Sequence, residues 1–175
     1  LCCDNMGILW VGTNGNGLCA FDVVKEQFYN YTVKEGLAND VVYAVLPDEQ
    51  NNLWLSSNRG ITKFYVPQKL DSTPKIVNYT NYDGLATEFN TGPYFKARNG
   101  NLYFGGLDGY YWFNPSDIEI STVLPKTVIT KFEVFNTAKP LIPNVKLNYK
   151  ENTVAFSFAS LQYSLPIKNQ YQFKL

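Results

Sequence analysis

Seven side chains stand out as groups that could do chemistry: Asn39, Asp40, Arg59, Glu88, Asn90, Tyr94 and Asp108. The amides and carboxylates supply hydrogen-bond donors and acceptors. Tyr94 offers a flat ring face, as does Tyr110. Arg59 is one of only two arginines, the other being Arg98. No local turn requires a guanidinium, so Arg59 is suited to a bidentate contact with a carboxylate from a ligand or a neighbouring structural unit. Asn39, Asp40 and the nearby Asn58 have a competing role. Short polar side chains make turns through their own hydrogen bonds and tolerate left-handed backbone, and for these three turn-making is the stronger reading. The chemistry available is recognition.

Catalysis has little to stand on. The chain of 175 residues contains no histidine. That removes a Ser-His-Asp or Cys-His group, a histidine-ligated metal and a phosphate-accepting histidine from this stretch. No two carboxylates have a sequence reason to hold one raised pKa, so a glycosidase pair is unsupported. Asp48-Glu49 lacks the spacing of a calcium loop. No enzyme activity and no cofactor are expected here. Cys2, Cys3 and Cys19 lie close to the N-terminus. A vicinal Cys2–Cys3 bridge is strained; a bridge from either to Cys19 is open, with three free thiols the preferred reading. Formal net charge is zero, which argues against nucleic-acid binding. No signal peptide or long apolar run is present, and the chain reads as a piece of something longer.

The elements that must position these groups repeat. Aromatic residues are 16% of the chain, with 12 glycines and 9 prolines spread through it, which favours short strands joined by tight turns. Trp10, Trp54 and Tyr103 head three similar strand–turn–strand units, 44 and 49 residues apart. Between them Gly36-Leu37-Ala38 recurs as Gly84-Leu85-Ala86, 48 residues on. A period in the forties with several strands per unit is the mark of a β-propeller blade. The second unit is expected to contain an inner strand over Val41–Leu46, then Leu53–Ser56, Ile61–Tyr65 and an outer strand over Lys75–Thr80. The first unit is expected to lack its inner strand. In the third, Gly105, Gly106 and Gly109 are candidates for positive φ. Trp10, Trp54 and Trp112 are read as packing between blades, and the Asn-x-Thr matches at Asn30 and Asn78 as strand-edge residues. About three blades cannot close a ring, so other blades are expected as partners. Antiparallel connectivity puts Asn14–Asn16, Leu37–Asp40, Ser57–Arg59, Ala86–Asn90 and Leu107–Asp108 on one rim. Asp48–Asn52 and Asn99–Asn101 fall on the other.

After Pro115 the period stops. Residues 116–126 read as a linker. Val128–Phe135, Val145–Tyr149 and Thr153–Ala159 read as strands, with Val154, Phe156 and Phe158 on one face. A last strand begins at Gln170. The expected organisation is all-β: propeller blades over 1–115, a linker over 116–126, and a partial immunoglobulin-like sandwich over 127–175.

Leu9–Asn14, Gly36–Val42 and Phe104–Gly109, followed by Phe113-Asn114-Pro115, resemble two-component-regulator propeller repeats. The tail, with Tyr149, Tyr163 and Tyr171, resembles the triple-tyrosine immunoglobulin-like domain that follows such propellers. The tail departs from that pattern by stopping before its usual final strands. The resemblance implies a periplasmic sensor region of a hybrid two-component histidine kinase, with an oligosaccharide as ligand and the kinase outside this chain. Arg59 would suit an acidic sugar, and the rim amides and carboxylates its hydroxyls. Open sheet edges suggest self-association, and a homodimer is expected. A membrane would be reached only through flanking sequence. Two other readings compete. One is a protein-interaction propeller, with Arg59 and Asn90 buried between blades. The other is a polysaccharide-degrading enzyme.

Overall fold

The protein is described from a computed structural model that covers residues 1–85, 88–118 and 126–161. Among the described residues it is all-β apart from three single-turn 3-10 helices. The chain divides into two compact units, Leu1–Glu119 and Ile120–Leu175.

The first unit begins with β1 (Cys2–Cys3), β2 (Ile8–Gly12), β3 (Leu18–Asp22) and β4 (Gln27–Tyr31), an antiparallel sheet in that order. This corrects the expectation that the first repeat lacks an inner strand. Cys2 pairs with Trp10 and Cys3 with Leu9. The strand has only two residues and carries no alternating apolar pattern, so nothing in the sequence marked it.

A second sheet follows: β5 (Ala44–Pro47), β6 (Leu53–Ser57), β7 (Gly60–Tyr65) and β8 (Lys75–Tyr79). Its inner strand starts later than Val41. The reason lies in the preceding hydrogen bonds. Val41 bridges to Asn14, and the Val42 N–H donates to the Thr13 carbonyl at 2.8 Å. Only at Tyr43, whose N–H donates to Ser56, does the chain transfer to its own sheet.

The third sheet is β9 (Phe89–Lys96), β10 (Leu102–Gly106) and β11 (Gly109–Phe113), in the order β11-β10-β9. Gly105 and Gly106 lie in extended strand; of the three glycines there, only Gly109 takes a positive φ, at 141°.

The sheets stack face to face. Between the first and second, Trp10, Tyr31, Leu55 and Phe64 form one buried cluster. Between the second and third, Trp54, Ile61, Phe89, Leu102 and Phe104 form another. Trp10 and Trp54 have 0% of their surface exposed, as interblade packing requires. Trp112 does not behave this way and is 58% exposed. It pairs with Tyr103 and stacks on it, on the face of the third sheet turned away from the second. Three stacked antiparallel sheets of this kind are blades of a β-propeller.

Each full blade hands over to the next through a capped turn. Thr32 opens a 3-10 turn over Val33–Glu35, and Thr80 opens another over Asn81–Asp83. In each, the threonine and the acidic residue three positions on form a capping box, and a glycine, Gly36 or Gly84, ends the turn in left-handed backbone. Asn114 caps a third turn over Pro115–Asp117 directly after β11.

The second unit contains β12 (Thr127–Val134), β13 (Thr137–Lys139) and β14 (Val154–Ser160), in the order β13-β12-β14. Phe132 stacks on Phe156 at 5.0 Å. β13 has no sequence signature because its hairpin turn is Phe135-Asn136, both at positive φ, where Asn-Gly or Asp-Gly is the usual signal. Conversely, Val145–Tyr149 forms no strand. Asn144 sits at φ 58°, and Tyr149 is 87% exposed, so among the described residues the alternating pattern has no surface to bury against. Tyr163, Tyr171 and the strand expected from Gln170 lie outside the described residues.

Candidate functional site

Asn39 and Asp40 are held tightly by the fold. The Asn39 side chain accepts from the Val41 N–H at 2.8 Å and donates to the Asn58 side chain at 2.7 Å. Asp40 accepts from the Val33 N–H through its carboxylate, and its backbone carbonyl accepts from Gly15 and Gly17. These bonds gather loops 13–17, 37–41 and 57–60 at one rim, as the connectivity requires. They also engage the two side chains in turn-making.

Arg59 stands next to Asn58 on that rim. It lies in the two-residue turn between β6 and β7, where its N–H donates to the Ser57 hydroxyl at 3.2 Å. Its side chain is exposed and forms no ion pair with the described residues.

Glu88 and Asp108 form a second group. The Leu107 N–H donates to the Glu88 carbonyl at 3.1 Å, which places Glu88 beside the Leu107-Asp108 turn. Both side chains are exposed. Asn90 is half-buried and accepts from the Gly92 N–H at 2.8 Å, a local bond within β9. Tyr94 is placed differently. It pairs with Phe104 in mid-strand and lines a shallow hollow of about 350 Å³ with Pro93, Phe95, Tyr103 and Tyr110. It belongs to the flat side of the third blade, away from the rim loops.

The opposite rim holds a polar cleft. Glu49, Gln50, Asn99, Asn114 and Ser116 line a space of about 210 Å³ between the second and third blades. The Lys96–Glu49 ion pair, at 2.7 Å, joins the two blades there. Asn114 donates to the Asn99 carbonyl and the Asn101 side chain, and accepts from Ser116. The run Asp48–Asn52 with Asn99–Asn101 was the legible signal for this cleft.

A repeated device sits behind that rim. Asp4 accepts from the Met6 and Ile8 N–H groups and from the Trp10 indole at 2.8 Å. Asp48 accepts from Gln50, Asn52 and the Trp54 indole at 3.1 Å. Each aspartate fastens its turn to the tryptophan buried between blades. Lys63, 5% exposed, lies 3.9 Å from Asp48 and over the Trp54 and Tyr65 rings. In the third blade Ala97 stands at the aspartate position and Tyr103 at the tryptophan position.

Burial sets the titration of several groups. It pushes the hydroxyls of Tyr31 and Tyr79 each up to about 12, and the Cys2 thiol up to about 11. The backbone N–H of Thr32, with its hydroxyl, holds the Glu35 carboxyl below its ordinary value. The three cysteines are free. Among the described residues no cluster of His, Cys, Asp or Glu could hold a metal ion, and no helix is long and apolar enough to cross a membrane.

Stacked blades with capped handover turns and exposed polar rims define a piece of a β-propeller. Residues 36–59, from the first capped turn through the β6–β7 hairpin, match the family described as "Two component regulator propeller". The extracellular domain of a hybrid two component system from B. thetaiotaomicron superposes on 93% of this chain with a TM-score of 0.66 and 30% identity. The match occupies 23% of that solved chain. A curated relative, "Histidine kinase P4" of Formosa agariphila, is 29% identical over 154 residues, 80% of this chain. The chain spans 11% of the length of that relative.

Proposed function

We propose that this chain is part of the ligand-sensing ectodomain of a hybrid two-component histidine kinase on the periplasmic side of the membrane, and that its ligand is an oligosaccharide. The reading rests on one observation: likeness to a two-component ectodomain runs through 93% of the chain at 30% identity. The rim fits the ligand class. Arg59 is exposed beside the Asn39–Asn58 pair, ready for a carboxylate, and Glu88 and Asp108 offer acceptors to hydroxyls. A scaffold propeller would bury Arg59 and Asn90 between blades; Arg59 is exposed and Asn90 half-buried. The tail is read as the immunoglobulin-like output domain, the working unit as a homodimer, and the kinase as a separate part of the protein. Ligand would act by binding one arrangement of the ectodomain more tightly than another.

Titration calorimetry of the complete ectodomain against neutral and acidic oligosaccharides tests this. Binding of an acidic member is expected, and Arg59→Ala should weaken it roughly tenfold, about 1.4 kcal/mol. No heat with any glycan would overturn the oligosaccharide reading.

A further inference from the structure

The turns that join the first two strands of each blade share one backbone. The Gly7 N–H donates to the Asp4 carbonyl at 3.1 Å, that of Asn51 to Asp48 at 3.3 Å, and that of Gly100 to Ala97 at 3.0 Å. Gly7, Asn51 and Gly100 all take positive φ, at 80°, 62° and 86°. The three turns therefore correspond residue by residue. Asn5, Glu49 and Arg98 share one position, and Gly7, Asn51 and Gly100 share another.

That correspondence brings out a difference between the two blade junctions. At the first, the Asn5 N–H donates across the blades to the Asn51 side-chain oxygen at 3.2 Å. The same bond at the second junction would run from the Glu49 N–H to a side chain at position 100, which is glycine. Among the described residues the Glu49 N–H has no hydrogen-bond partner. The polar cleft of about 210 Å³ opens at this point, with Glu49 and Gly100 on its walls. A Cβ on Gly100 would lie 3.5 Å from Asn114 Nδ2, an ordinary contact, so the place is open to a side chain and holds none.

The remaining chemistry of the cleft narrows what fits it. Gln50 and Asn99 use their side-chain oxygens within their own turns, and their amide N–H groups have no described partner. Charge is balanced: Glu49 pairs with Lys96 at 2.7 Å, and Asp48 lies 3.9 Å from Lys63. An anionic ligand would face two carboxylates, and a cationic one the Lys96 ammonium. What is left over is a set of N–H donors, which calls for a neutral acceptor oxygen. Asn51 shows one such group in place at the first junction, an amide carbonyl. The volume is below the roughly 300 Å³ at which pockets for drug-sized ligands begin, so the occupant is small.

We infer that this cleft binds a small neutral molecule through an amide carbonyl, whose oxygen takes the Glu49 N–H as Asn51 takes that of Asn5. Gln50 and Asn99 donate to its other acceptors. Asn114 and Ser116, where the chain leaves the third blade, form a further wall, so an occupant touches the exit segment. The site is separate from the Arg59 rim and does not depend on the ligand proposed for it.

Calorimetry of the complete ectodomain with N-acetylglucosamine tests this, with glucose as the control that keeps the ring and lacks the amide. N-acetylglucosamine should bind, and glucose about tenfold or more weaker. Gly100→Asn supplies the missing amide from the protein itself. Asparagine tolerates left-handed backbone, so the unfolding midpoint should hold or rise while binding weakens by about tenfold or more. Gln50→Ala, on an exposed turn, should weaken binding as well, and Arg59→Ala should leave it unchanged. By hydrogen exchange, the Glu49 amide should be unprotected in the free ectodomain and slow when the probe is added. Absence of binding, equal binding of glucose, or binding unchanged by Gly100→Asn and Gln50→Ala overturns the inference. Loss of binding in Arg59→Ala assigns the probe to the other rim and overturns it too. So does a Glu49 amide already protected without the probe, because another part of the protein would then hold the place.

Discussion

At the scale of the residue, the aspartate of each four-stranded blade matters more to the fold than any rim side chain. Asp48 receives two backbone N–H groups and the Trp54 indole, and sits near the ammonium of the buried Lys63. Removing the carboxylate leaves buried donors unsatisfied and one buried cation without its counter-charge. Each of these costs about 1–3 kcal/mol or more. Asp48→Ala should therefore lower stability by about 2–4 kcal/mol in urea unfolding. Ala97→Asp should not raise it, because Tyr103 has no indole to bind. The tyrosine hydroxyls give the alkaline limit. Tyr31 is buried and donates to the Leu70 carbonyl at 2.6 Å, so its neutral form is favoured in the folded state. Its folded pKa, about 12, lies above the ordinary value of 10.0. The stability it contributes is full below the unfolded pKa and is lost as pH rises through the folded one. Tyr79 shifts the same way. The urea midpoint should hold steady to about pH 10 and then fall. Tyr31→Phe should start lower by roughly 1 kcal/mol for the lost hydrogen bond, and fall less steeply.

At the scale of the element, the β6–β7 and β10–β11 hairpins share a two-residue turn but differ in what flanks them. Both Gly60 and Gly109 have positive φ, so alanine strains either by about 1–3 kcal/mol. In residues 1–175 alone, Gly60→Ala should cost clearly more than Gly109→Ala, because only there must β8 also move. Equal losses in this chain would show that φ strain alone decides. These elements were largely legible beforehand. β6, β7 and β8 fall within one residue of the strands read from the repeat, because Trp54, Ile61 and Ile76 each open an apolar run between turn residues. What escaped were features without a local pattern. β1 is too short to alternate, β13 follows a turn with unusual residues, and Ala44 begins β5 because Val41 and Val42 bond to the preceding blade. The rim was legible from connectivity, but its occupancy was not. Turn-making is the stronger sequence reading of Asn39 and Asp40, and their hydrogen bonds go to turns, whereas Asn90 carries no such cue and is held by the Gly92 N–H within β9. The Asp4–Trp10 and Asp48–Trp54 pairs recur at one spacing of six residues, a repeat visible in the sequence whose meaning as a bond only the fold reveals.

At the scale of the first unit, the two buried clusters make its stability additive along the row of blades. Trp10, Tyr31 and Phe64 join the first blade to the second, and Trp54, Phe89 and Phe104 join the second to the third. Units that touch only their neighbours behave as a nearly one-dimensional array, with an intrinsic contribution for each unit and another for each junction. Phe104 is 1% exposed and packs against Phe89 and Phe113. Truncating it to alanine removes about 3–5 kcal/mol of transfer and packing free energy at one junction. If the blades respond in sequence, the loss is confined to one end. Amide exchange in β9–β11 should rise strongly, that in β5–β8 should rise modestly, and that in β1–β4 should stay near its original value. A single cooperative unit gives a different pattern, with protection falling by the same factor in all three sheets. The comparison bears on the sensing role proposed above. Under that proposal, a junction that loosens alone would let a ligand at one rim change the fit of two blades, whereas a fully cooperative row would have to respond as a whole. Exchange of Phe104→Ala resolved blade by blade distinguishes them, and uniform deprotection of β1–β11 would rule out the sequential response.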